Sequence, residues 1–341
     1  MRRIGVFFTA EVPYANAFRT YIMKKKLANL LLLLLTIIVG LIPAEIYLRI
    51  KYPDGALGSA VKLNQMADFT SGECFIIDPD FGFRPVLGNN IYNEYGTLIN
   101  RYSIKKSPSV TRLLFIGDSV TMQGKIIEAL RRLYGEKTFE YWNAGVGSFN
   151  TVQEVGFYNK YNYSIKPDHV ILTFHMNDFE TTPIVFADVK NKLVAYAPDI
   201  PQKFVNRHLF KYSYVYRLFL GTVINMELKQ KSIEQIENEV KQSLLSLKET
   251  LSKDGIRFTV IFHPYLLPYE KWPSFEKGIR DRTIQMFKTL GIRYFDMTEV
   301  LYKAERDNIN MIMSSGEYFH PSDEMAQYFA KYLYDNNLLY E

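Results

Sequence analysis

The chain has 341 residues, of which 48% are hydrophobic and 23% charged, as in a folded protein with one large domain or two modest ones. Its single cysteine, Cys74, excludes an intrachain disulfide and a cysteine cluster for zinc. The net charge of +5 resides entirely in residues 1–26, and the balanced remainder argues against nucleic-acid binding.

A long uncharged run follows this basic segment. Residues 27–44 carry no charge and include six successive leucines, which is long enough for a membrane span. A cleaved secretory signal is the alternative, but the run is longer than the usual signal core. We therefore predict that residues 27–50 anchor the chain in the plasma membrane as a single transmembrane helix. Because the basic residues precede it, residues 1–26 form a cytoplasmic tail and the remainder is extracytoplasmic.

Residues 51–110 are rich in Pro, Gly and Asn and show little periodicity. Asp78-Pro-Asp-Phe-Gly-Phe-Arg-Pro85 and Asn93-Glu-Tyr-Gly96 are typical of turns between short strands. We predict a lead-in segment between the membrane and the main domain.

From residue 111 to 341, apolar runs of strand length alternate with helical patterns, which predicts an α/β fold with a parallel sheet. The predicted strands are Leu113–Ile116, Phe139–Ala144, His169–Phe174, Arg257–His263 and Ile292–Met297. Apolar residues from Ile233 to Leu251 recur at intervals of three or four positions, which indicates a long crossover helix. Asp323 to Tyr334 is the predicted last helix. Residues 180–230 fit no clean pattern, so we predict an insertion or cap over the strand ends.

Polar candidates lie where the predicted strands end, and ligands of open parallel sheets bind at that edge. Ser119 follows Gly117-Asp118 between a strand and a helix, which suits a nucleophile, although Asp and Ser also favour ordinary helix starts. Glu317 precedes His320 by three residues, and an acid–histidine pair can activate a serine. A lone Glu-x-x-His is more often a surface turn.

Four motifs in order resemble the SGNH hydrolase superfamily, the GDSL esterases and lipases: Gly-Asp-Ser119, the Gly145–Ser148 turn, Asn177-Asp178 and His320-Pro321. The resemblance covers roughly residues 110–335 and implies a flavodoxin-like three-layer sandwich. It further implies that Ser119 is the nucleophile and His320 the base. The oxyanion hole would comprise the N–H of Ser119, an N–H of the glycine turn and the Asn177 amide.

Two positions depart from the family pattern. The usual acid is aspartate, whereas this chain has Glu317, one methylene longer. Ser148 stands where a glycine is frequent; a backbone donor needs glycine only at positive φ, so we expect Ser148 to serve and Gly147 to permit the turn.

Other candidates have weaker support. His263 and His175 lie at strand ends, where packing is as good an explanation as a place in the site. Asn150 occupies the third glycine position of a dinucleotide fingerprint, and no metal-ligand spacing occurs, so we predict neither cofactor nor metal.

The combined pattern predicts a membrane-anchored serine esterase that removes acetyl or other acyl groups from envelope glycan or lipid. An O-acyltransferase would use the same residues, with a sugar hydroxyl replacing water. A non-catalytic module that binds glycan or serves as a scaffold is the third alternative. The sequence leaves the substrate, the acyl chain, protein partners and the acceptor open.

Overall fold

The computed structural model describes residues 12–52, 60–62, 74–180, 182, 184–187, 193–196, 206–227, 233–315 and 317–340. The strands are β1 (Ala60–Lys62), β2 (Phe75–Asp78), β3 (Gly82–Pro85), β4 (Thr111–Gly117), β5 (Phe139–Asn143), β6 (His169–Phe174), β7 (Ile184–Ala187), β8 (Leu193–Tyr196), β9 (Arg257–Phe262) and β10 (Arg293–Asp296). The helices are α1 (Val12–Lys51), α2 (Ser119–Gln123), α3 (Lys125–Tyr134), α4 (Thr151–Lys160), α5 (Arg207–Tyr212), α6 (Tyr214–Glu227), α7 (Ile233–Lys253), α8 (Ser274–Leu290), α9 (Thr298–Arg306) and α10 (Asp323–Asp335).

Five parallel strands form the central sheet in the order β10-β9-β6-β4-β5. Numbered along the chain from β4, this order is 2-1-3-4-5, the flavodoxin-like arrangement. Helix α3 packs on α10 and α10 on α9 in one layer, whereas α4 packs on α7 in the other. An ion pair between Arg282 and Glu237 joins α8 to α7 at 2.6 Å. The predicted fold, an α/β three-layer sandwich preceded by an apolar N-terminal helix, is confirmed.

The burial of the strands and helices follows their sequence patterns. Every residue of β6 is buried, because a central parallel strand is covered by helices on both faces. The stepped apolar residues of α7 are buried at Val240, Leu244, Leu247 and Leu251. Helices α8 and α9 were not predicted. In α8 only Thr283, Phe287 and Leu290 are buried, so its apolar periodicity is weak.

The lead-in segment packs on the main domain. Strands β2 and β3 form an antiparallel hairpin, and the Asp78 carboxylate accepts the N–H groups of Asp80 and Phe81 in its turn, at 2.8 and 3.2 Å. Buried Arg112 in β4 donates to Glu140 at 2.7 Å and to the carbonyl of Ser103 at 2.8 Å. A buried ion pair therefore joins β4, β5 and the lead-in segment.

Helix α1 contains one stretch, Tyr21–Lys51, that is long and apolar enough to cross a membrane. Within these 31 residues, the most apolar window of 18 residues has a mean hydropathy of 2.5, and none of that window is buried in the protein. Burying these side chains in lipid would stabilise the helix, since hydrocarbon surface is unfavourable in water.

Candidate active site

Ser119 lies where β4 ends and α2 begins. Asp118 is the N-cap residue of α2, and its carboxylate accepts the N–H of Val120 at 2.9 Å. Strands β4 and β6 are neighbours in the sheet, yet the helices that follow them, α3 and α7, pack on opposite faces. Ser119 is thus beside the topological switch point, where ligands bind in sheets of this kind.

The loop before α10 brings His320 and Glu317 to this serine. His320 Nε2 lies 2.8 Å from Ser119 Oγ, and Glu317 Oε1 contacts His320 Nδ1 on the other side of the ring. Ser314 Oγ donates to the second oxygen of Glu317 at 3.0 Å. A hydroxyl, an imidazole and a carboxylate are therefore in contact, in the order found in serine hydrolase triads.

The imidazole of His320 is poised to accept a proton. Burial lowers the pKa of His320, the charge of Asp118 raises it in part, and the neighbouring His175 and Lys125 side chains lower it again. The net shift is downward from the ordinary value, so the ring is neutral near pH ~7.

Asn177 lies on the short turn after β6, next to the serine. Its side-chain Nδ2 donates to Asp118 Oδ2 at 2.9 Å. Because an amide nitrogen has two hydrogens, this bond leaves the second for another acceptor. Asp118 therefore links the start of α2 to Asn177, a positioning role that the sequence analysis did not assign to it.

The glycine turn after β5 approaches the same place, although not in the way that we predicted. A Cβ on Gly145 would lie 2.2 Å from the backbone nitrogen of Met122, so only glycine fits there. The left-handed conformation belongs to Ser148, with φ of 63°, whereas Gly147 lacks positive φ. The turn therefore depends on Gly145 for its approach, and Ser148 carries the unusual backbone conformation.

The two candidate histidines lie behind the site instead of lining it. His263 is fully buried, and its Nε2 donates to the carbonyl of Phe319 at 2.7 Å, because a carbonyl can only accept. His175 Nδ1 donates to the carbonyl of His263 at 2.9 Å. Burial lowers the pKa of His263 to about 3 and also lowers that of His175, so both bonds are made by neutral rings that support the loop carrying His320.

Buried acids also lie beneath the site. Glu154 on α4 and Asp178 after β6 are 3% and 0% exposed, and burial raises the pKa of both carboxyls well above the ordinary range. The negative charge of Asp118 raises both further. Within the described part of the chain, neither oxygen of Glu154 has a hydrogen-bond partner. No group of three or more potential metal ligands occurs among the described residues.

No family model and no curated protein matches the sequence. The fold is similar to several solved structures. One is an acetylxylan esterase from Geobacillus stearothermophilus, with 14% identity, a TM-score of 0.44, and coverage of 69% of this chain and 98% of that one. Another is the acetyl xylan esterase AlAXEase, with 12% identity, a TM-score of 0.42 and coverage of 66% and 98%. A third is an alpha/beta hydrolase from the metagenome of Lake Arreo, Spain, with 12% identity, a TM-score of 0.43 and coverage of 68% and 97%.

Proposed function

We propose that the chain is a membrane-anchored serine esterase of the SGNH type that cleaves acyl groups from an extracytoplasmic glycan or lipid. The observation that carries the proposal is the chain of contacts from Glu317 through His320 to Ser119 at the carboxyl edge of the sheet. A structural role alone does not require a neutral histidine held between a hydroxyl and a carboxylate.

In the first half-reaction, Ser119 Oγ attacks the acyl carbonyl while His320 Nε2 takes its proton. Glu317 stabilises the imidazolium that results. The negative charge on the former carbonyl oxygen is taken up by the N–H of Ser119, the second amide hydrogen of Asn177 and an N–H of the turn at Gly147 or Ser148. Collapse of this intermediate breaks the C–O bond to the alcohol, which leaves with the proton from His320.

In the second half-reaction, water attacks the acyl-serine at the same carbonyl carbon. His320 accepts a proton from the water and returns it to Ser119 Oγ as the carboxylic acid leaves. A sugar hydroxyl in place of water would give acyl transfer through identical steps.

The test is cleavage of p-nitrophenyl acetate by the full chain and by Ser119→Ala. We expect the variant to lose kcat by a factor on the order of 10⁶, as for a triad serine elsewhere, while its thermal unfolding stays unchanged. The matched control is Ser252→Ala, an exposed serine at the end of α7 near the opposite edge of the sheet. Retained activity in folded Ser119→Ala protein would exclude this nucleophile.

A second arm adds a sugar acceptor to the same reaction. Hydrolysis releases free acetate in proportion to p-nitrophenol, whereas transfer yields acetylated sugar at the expense of acetate. Mass analysis of the sugar therefore decides between esterase and O-acyltransferase without altering the protein.

A further inference from the structure

Helix α6 begins against the end of α1 nearest the folded domain. The Glu45 carboxylate accepts the backbone N–H groups of Tyr214 and Val215, both at 3.0 Å, and the hydroxyl of Ser213 at 3.1 Å. N–H groups in a first helical turn lack acceptors within the helix and carry the positive end of its dipole. A charged residue at the end of the uncharged run of α1 therefore caps α6 and fixes where that helix starts.

From this cap, α6 runs back along α1. A groove of about 560 Å³ is lined by Ile38, Leu41 and Ile42 of α1 and by Val215 and Phe219 of α6. Ile38 lies about two turns before Glu45, and Phe219 lies more than one turn beyond the capped start of α6. Both side chains line the same groove. Helix α6 therefore runs antiparallel to α1 and lies beside the uncharged run of α1.

The outer face of this region is apolar and open. Phe219 is 58% exposed and Leu209 is 49% exposed, beside α1 side chains that are also exposed. The only basic residue of α6, Arg217, is buried, donates to the carbonyl of Phe210, and lies 4.7 Å from the Tyr214 ring. Because this charge is turned inward, α1 and residues 214–220 of α6 present an apolar surface of a kind that soluble proteins rarely expose.

Aromatic residues cluster at the level of the cap. Tyr47 is 59% exposed and Tyr212 is 48% exposed, and Lys51 Nζ lies 5.7 Å from the Tyr47 ring. Exposed tyrosines with nearby basic groups are typical of the boundary between lipid and water. That boundary therefore lies near Glu45, and the groove is on its lipid side.

We propose that the first half of α6, residues 214–220, lies in the bilayer beside α1, and that the groove between the two helices holds an acyl chain of a bilayer lipid. The proposal rests on the membrane span of α1. The groove opens onto the apolar surface of α1 that lipid chains would cover, and its volume falls within the ~300–1,000 Å³ of ligand sites.

Nitroxide labels test the first part in the full chain, placed in phosphatidylcholine nanodiscs with Cys74→Ala as background. The labelled variants are Phe219→Cys in α6, Leu34→Cys in the span, and Phe275→Cys in α8 as the matched control, since Phe275 is 59% exposed. We expect the labels at 219 and 34 to be more accessible to oxygen than to a water-soluble nickel chelate, and the label at 275 to show the reverse. If the label at 219 is as accessible to the nickel chelate as the label at 275, the proposal for α6 is overturned. If the label at 34 is equally accessible to the chelate, the membrane span of α1 is overturned too.

Photolabelling of the unaltered chain tests the second part. The nanodiscs then contain phosphatidylcholine with a diazirine in its acyl chain, and the crosslinked peptides are identified by mass spectrometry. We expect crosslinks on both walls of the groove, in residues 38–45 and in residues 209–219. Crosslinks confined to α1 would overturn the acyl-chain site.

Discussion

Glu317 is held by both of its oxygens, one against His320 Nδ1 and the other accepting from Ser314 Oγ at 3.0 Å. The length of the glutamate side chain therefore suits both contacts. Shortening it would withdraw the carboxylate by about one C–C bond, ~1.5 Å, which breaks a hydrogen bond of ordinary length.

We therefore predict that Glu317→Asp lowers kcat/KM and that Glu317→Gln lowers kcat by about 10⁴, because glutamine holds the wrong histidine tautomer. Steady-state kinetics with p-nitrophenyl acetate measures both. If Glu317→Gln and Glu317→Ala retain near wild-type kcat/KM, the site is instead a Ser–His dyad.

Glu154 gives the molecule a pH-dependent stability. Its carboxyl has a raised pKa in the folded state and releases its proton near pH ~4.3 when unfolded. Between the unfolded and the folded pKa of Glu154, the unfolded chain binds fewer protons than the folded protein. The free energy of unfolding therefore falls as pH rises, by up to about 1.4 kcal/mol per pH unit for this carboxyl. The contribution is complete below the unfolded pKa and is lost as pH rises through the folded one.

Glu154→Gln should remove this dependence, although Asp178 retains its own. The difference in unfolding free energy between Glu154→Gln and the wild type should grow as pH rises above about 5, in favour of the variant. Urea unfolding at a series of pH values measures it, with exposed Glu249→Gln of α7 as control. A difference independent of pH would mean that Glu154 is ionised in the folded protein.

At the scale of elements, the turn after β5 is positioned by the close approach of Gly145 to Met122. A methyl group at Gly145 would overlap the backbone of α2 at Met122, whereas one at Gly147 would find its nearest atom, Met122 Cε, at 3.5 Å. We predict that Gly145→Ala lowers both the melting temperature and kcat/KM, the latter by about 10²-fold if the turn moves by ~1 Å. Gly147→Ala should melt near the wild type. Equal melting temperatures for both variants would contradict the steric assignment.

The elements that could be predicted from sequence are those with the same apolar surroundings along their whole length. Strand β6 is covered on both faces, so its apolar run is continuous and its predicted ends coincide with the observed ones. Helix α8 buries few residues, so its pattern gave no comparable signal. Ser119, Asn177 and His320 could be identified because motifs accompany them. Glu154 lies in an ordinary helical sequence, and the pairing of α1 with α6 depends on tertiary contacts of Glu45, so neither had a local signal.

For the molecule as a whole, orientation across the membrane decides which substrates reach Ser119. Lys24, Lys25 and Lys26 immediately precede the apolar run. On the other side of the run, the basic residues in the last turn of α1 are Arg49 and Lys51. From the larger number of basic residues before the run we predict that the amino terminus is cytoplasmic.

A C-terminal alkaline phosphatase fusion in a bacterial host should therefore be active, because that enzyme folds only outside the cytoplasm. A C-terminal fluorescent protein that matures only in the cytoplasm should be dark. Replacing the three lysines with glutamine reduces the charge difference across the span, so phosphatase activity per molecule should fall, whereas the same change at Lys105 and Lys106, far from the span in sequence, should not alter it. A bright fluorescent fusion with inactive phosphatase would reverse the orientation and confine the substrate of Ser119 to the cytoplasm.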